Sequence, residues 1–139
     1  MTLRLAAGIW AATILVHTAD HARRGLDTSP KVVIALGGIA FAFQAVAIVA
    51  ALLRHALAPL LAVAVAVPDA LGVVAVHLLP RWSGLSDAFP GAPASANVTA
   101  FSWATAVAEV AAAVLFAVVA ARQLPRATRR GGAATAGRP

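Results

Sequence analysis

Three histidines and three carboxylates of this chain stand in or beside long apolar runs, where an ionisable side chain is out of place. His17, Asp20 and His21 fall together, and Asp69, His77 and Glu109 follow in later apolar stretches. An ion in hydrocarbon costs at least about 2.5 kcal/mol unless it is paired or faces a wet interior, so such residues point to a functional site.

The chemistry they suggest is metal ligation. His17 and His21 are four residues apart with Asp20 between them, a helical spacing that sets two imidazole nitrogens on one face. His77 would make a three-histidine set, with Asp20, Asp69 or the loop residue Asp87 as carboxylate ligand or as partner of a ligand. The chain has no cysteine, so the ligands are nitrogen and oxygen. That donor set suits zinc, copper, iron, manganese or nickel. Haem held between His17 and His77 is a weaker alternative, because only one histidine pair lies at matching depth. A di-iron oxygenase would need more than the four histidines present.

A second use of the same residues is a proton or small-solute pathway. Asp69, Glu109 and Gln44 lie near the middle of three apolar segments, roughly 15 to 20 Å from their outer ends at the helical rise. Carboxylates at that depth are typical of ion relays. Two further alternatives remain open: a metal-dependent enzyme acting on lipid, with the loop from residue 80 to 97 as a lid, and an accessory subunit of a larger membrane complex. No HExxH, Gly-x-Ser-x-Gly or phosphate-cradling motif occurs.

The elements that must position these residues follow from composition. Hydrophobic residues make up 61% of the chain and charged residues 12%, far from the balance of a water-soluble domain. Four apolar segments, residues 3 to 22, 32 to 53, 57 to 79 and 98 to 121, each approach the roughly 20 residues needed to cross a bilayer. The expected fold is all-α: a polytopic integral membrane protein with a four-helix up-and-down bundle over residues 1 to 125. The connections are a basic turn, a tight turn at Arg54 and His55, and an outer Pro/Gly/Ser-rich loop over 80 to 97. The tail from 126 to 139, basic and without apolar period, is expected to be disordered.

Two polar stripes should face inward, Thr13, His17, Asp20 and His21 in the first segment and Ser102, Thr105 and Glu109 in the last. By helical rise His17 lies about 9 Å below Arg23 and His77 about 5 Å below Pro80, in one leaflet. Pro68 removes a backbone donor beside Asp69 and crowds the carbonyl of Ala64. Asp69 and His77 differ by about 80° around an ideal helix, so a kink or wide cavity would be needed for both to meet one ion. Trp82 and Phe89 are expected at the lipid interface with Ser83, Ser86 and Asp87 facing water, and Gly37 with Gly38 is expected at a close helix contact.

Arginine placement sets the orientation. Arg4, Arg54 and Arg122 with the tail arginines outnumber Arg23, Arg24, Lys31 and Arg81, favouring both termini in the cytoplasm. The basic first loop keeps the inverted topology open, and a cleaved leader competes for the first segment although no clean cleavage motif precedes Arg23. Arginine outnumbers lysine ten to one and alanine and valine fill the spans, which suits a high-GC bacterium and its inner membrane. The net charge of +6 flanks the apolar segments without interleaved aromatics, so it implies a lipid bilayer and not nucleic acid as partner. Four short helices make a thin pore at best, so a transporter would require a homo-oligomer.

Overall fold

A computed structural model describes residues 1 to 124. The expected tail, residues 126 to 139, lies outside the described residues. Four long helices account for most of the chain: α1 (Leu3–Arg24), α2 (Lys31–Leu52), α3 (Ala58–Val73) and α4 (Ala100–Ala121). There is no strand among the described residues. Helix ends fall within two residues of the apolar segments, apart from the loop-side end of α3. There a π-helical turn over Val74–Leu78 carries the helix on, closed by the Leu79 amide donating to the Val74 carbonyl at 3.1 Å.

The helix ends follow local chemistry. Thr2 caps α1, its hydroxyl accepting from the Leu5 amide, and Gly25 ends that helix at φ 97°, a conformation costly to any residue with a Cβ. Thr99 and Ser102 form a reciprocal capping pair at the start of α4. Asn97 turns into α4 in the left-handed region, φ 51°, which asparagine tolerates. Its side-chain amide donates to the Arg24 carbonyl, and its own carbonyl accepts from Arg23. The long loop is thus tied to the last turn of α1.

The main packing contacts run α1 to α2, α2 to α3, α3 to α4 and α4 back to α1, closing a ring. α1 and α4 are antiparallel, because Trp10 meets Phe116, His17 meets Glu109 and Arg23 meets Ser102. The core of the half away from the loop is mostly alanine. Ala58, Ala62, Ala66 and Ala70 form a fully shielded i, i+4 stripe on α3, facing Ala6, Ala7, Ala113 and Ala117, with the tilted Trp10 and Phe116 rings 5.2 Å apart. Small residues let helix backbones approach closely, the usual basis of helix association in lipid. The outer surface is apolar, with Leu36, Ile39, Phe43 and Val46 on α2 and Leu60 and Leu71 on α3 all exposed.

Three helices, α2, α3 with its π turn, and α4, are long and apolar enough to cross a membrane. α1 is equally long but falls outside that group, since His17, Asp20 and His21 within it and the arginines at its ends make it less apolar than the other three. The expectation for Gly37 and Gly38 needs correction: a Cβ at either would meet nothing within 4 Å, so the chain's own packing uses neither for close approach.

Candidate metal centre

The inward stripe of α1 and the end of α3 converge beneath the long loop. His17 and His21, one turn apart, stack with ring centroids 5.0 Å apart and planes 10° from parallel. The π turn aims His77 between them, its centroid 5.0 Å from that of His17 and 5.2 Å from that of His21. One nitrogen from each ring falls within 4.8 Å of the other two, and His17 Nε2 lies 3.2 Å from His21 Nε2. Two nitrogens at 2.0 to 2.1 Å from a tetrahedral zinc lie about 3.3 Å apart, so this pair already has the spacing of two ligands. His17 and His77 are buried and His21 is partly so.

The other nitrogen of each ring faces an oxygen-bearing group. His17 Nδ1 lies 2.8 Å from Glu109 Oε2 on α4, a close ionic contact off the ring N–H direction. His77 Nδ1 is 3.1 Å from the Asp87 backbone carbonyl and 3.6 Å from its carboxylate. His21 Nδ1 has Ser29 Oγ and Arg24 Nη2 each at 3.4 Å, with Asp87 Oδ2 at 3.9 Å. Ligating histidines are held this way, one nitrogen on a carboxylate or carbonyl and the other free for the metal.

Around the rings lies a charged collar. Asp87 Oδ2 pairs with Arg24 and accepts from Ser29 Oγ at 2.8 Å. Asp20, 1% exposed, pairs with Arg23 at 2.8 Å and lies 3.7 Å from Arg24. Arg24 is itself buried and stacks over Phe89. Arg24, which in lipid would be costly, is thereby neutralised inside the fold, while Arg23 pairs with Asp20 from the exposed side of the helix end.

The residues named from sequence divide accordingly. His17, His21 and His77 come together, and Asp87 joins them from the loop. Asp20 adjoins the set but is engaged by Arg23 and Arg24. Asp69 is not brought to the histidines; its Oδ1 accepts from Gln44 Nε2 at 2.5 Å, and its buried Oδ2 has no partner. Glu109 meets His17. Cβ direction explains the difference, since side chains tilt toward their helix N-terminus. Glu109 on α4 therefore leans to the loop end, and Asp69 on the opposed α3 leans away from it.

The loop departs most from expectation. Phe89 is not at a lipid interface: it is 4% exposed, with its ring 4.9 Å from His77 and edge-on to Trp103 at 5.6 Å. Ser86 and Asp87 do not face water but are buried, Ser86 Oγ accepting from the amides of Trp82 and Ser83. Trp82 does remain exposed. A pairing of Asp20 and His21 with Arg23 or Arg24 was open from the sequence, whereas Ser29, 3.4 Å from His21 Nδ1, had no local signal.

The three rings fit a single small cation. They touch one another and Phe89, leaving no slot between His17 and His77 for a planar macrocycle. Neither a family model, nor a curated protein, nor a solved structure matches this chain.

Proposed function

We propose that this is an integral membrane protein of four transmembrane helices that binds a transition-metal ion through His17, His21 and His77. The observation that carries the reading is the convergence of three histidines, two of which, His17 and His77, have the far nitrogen against a carboxylate or a carbonyl. Charge supports it too. The formally ionised carboxylates Asp20, Asp87 and Glu109 outnumber the guanidiniums of Arg23 and Arg24 by one, and a bound cation offsets the remainder.

α1 is the fourth span in this reading because its charged residues at the loop end are paired, with Asp20 and Arg24 buried and Arg23 at the exposed rim. Both termini lie in the cytoplasm, and the metal sits near the outer face of a bacterial inner membrane. Nitrogen donors without thiolate leave zinc, copper, iron, manganese and nickel as the ions to test.

The test is elemental analysis, with an absorbance spectrum, of protein purified in mild detergent without a metal-affinity column. Near-stoichiometric metal is expected, lost in His17→Ala and in His77→Ala and kept in His55→Ala. Equal retention in all three variants would refute the site, and a Soret band would turn the answer to haem.

A proton or solute pathway through Asp69 and Glu109, with Gln44, is the second reading, favoured by the buried carboxylate oxygen of Asp69 beside the Trp10 indole. It requires that Asp69→Asn abolish flux in liposomes while the protein stays folded.

A further inference from the structure

Two cavities open at opposite ends of the bundle. At the far end one of about 790 Å³ is bordered by Thr2, Arg4, Arg54, His55 and Gln123. At the loop end a cleft of about 660 Å³ separates the turn at Asp27 to Pro30 from the loop at Ser86 to Ala96. Of these two, the second lies one side chain away from the histidine cluster. Its walls include Ser29 and Asp87, the side chains that lie against His21 and His77.

The far cavity is cut off from the same cluster by packed side chains. From Leu5 at its edge to His17 is about 18 Å along α1 at the helical rise. The part of that length nearest the far cavity is closed by Ala6, Ala7, Ala62, Ala66, Ala113 and Phe116, each with no exposed surface, and Asp69 and Gln44 lie in the remainder. A hydrated dication cannot cross such a layer without losing its water to groups that offer no oxygen or nitrogen in return. At the loop end the cleft carries Asp27 at its lip and Asp87 at its floor, with Arg81 on the same wall. Carboxylate and hydroxyl oxygens are the donors that take over a divalent ion's hydration shell step by step.

We infer that the three-histidine site is a closed-ended well, loaded and emptied with hydrated divalent cations from the loop end only, through the cleft between residues 27 to 30 and 86 to 96. The inference rests on the metal-binding reading and extends it: the protein holds an ion presented from one face and does not conduct it. Asp87 stands at the junction: it borders the cleft, and its carboxylate lies 3.6 Å from His77 Nδ1.

The cysteine-free chain allows a direct test. Single cysteines are introduced by Asp27→Cys and by Ser95→Cys on opposite lips of the cleft, and by His55→Cys at the far end, and each is capped with a bulky maleimide. Cobalt(II) is the probe. Its uptake is followed by absorbance over time, and its final stoichiometry by elemental analysis. Capping at either lip should slow uptake about tenfold or more with the final stoichiometry unchanged, while capping at residue 55 leaves the rate within about twofold. Uptake at the uncapped rate in both lip variants, or slowing by the cap at 55, would overturn one-ended loading while the metal reading stands. Failure of the unmodified protein to take up cobalt, or any of the other candidate ions, would instead remove the metal reading and this inference with it.

Discussion

The two ends of the bundle hold together by different physics. At the loop end, α1 and α4 meet through His17 and Glu109 and through Arg23 with Thr99 and Ser102, and the loop is tied down by Arg24 and Asp87. At the far end the same two helices meet through Trp10, Phe116 and alanines with no polar contact between them in that core. One half gains its contacts from directional, partner-dependent groups and the other from close packing of small side chains. The contrast separates tasks. The dry half can fix the helix spacing while the polar half spends its geometry on arranging ligands.

Substitutions in the two halves should therefore act on different observables. The largest loss of stability is expected from Phe116→Ala, about 3 to 5 kcal/mol by cavity formation beneath Trp10, with metal stoichiometry kept in whatever fraction stays folded. Thermal unfolding in detergent with metal analysis of the folded peak would check both. Next comes Glu109→Gln, which removes the charge facing His17 and should weaken metal binding by about 10 to 100-fold with a small stability change. Competitive titration with a chelator measures this, and an unchanged affinity would show that the 2.8 Å contact plays no part in ligation. Asp69→Asn lies between the two regimes. It should cost about 1 kcal/mol through the Gln44 contact and leave metal affinity where it was, and a lost metal would place Asp69 among the ligands after all. The smallest effect is expected on the exposed face of α2, where Ile39→Val should change unfolding by no more than about 0.5 kcal/mol and leave metal uptake untouched.

Much of the helical frame was legible in the sequence because hydrophobic runs cut at charges leave few alternatives. The stripe of His17, Asp20 and His21 was legible for the same reason, since i, i+4 spacing holds whatever packs against it. Pairings between helices were less accessible. Estimated depth set Glu109 level with Asp69 but gave no sign that Glu109 meets His17, because depth alone carries no tilt. The loop was least legible. A Pro/Gly/Ser-rich stretch resembles any solvated connection, and nothing local distinguishes a Phe89 that covers His77 from one that rests in lipid. What decides the matter is Arg24, an unaffordable buried charge until Asp87 folds back to meet it.

The π turn at Val74–Leu78 carries a further consequence. Such a turn holds one residue more than the α-helix it interrupts, and it often marks a functional position. Deleting a single residue from it would rewind α3 into a plain α-helix and leave His77 on nearly the same face, because the wider winding of the π turn already absorbs the roughly 100° that one extra residue adds. The turn thus changes the backbone that holds the ligand more than the direction in which the ligand points.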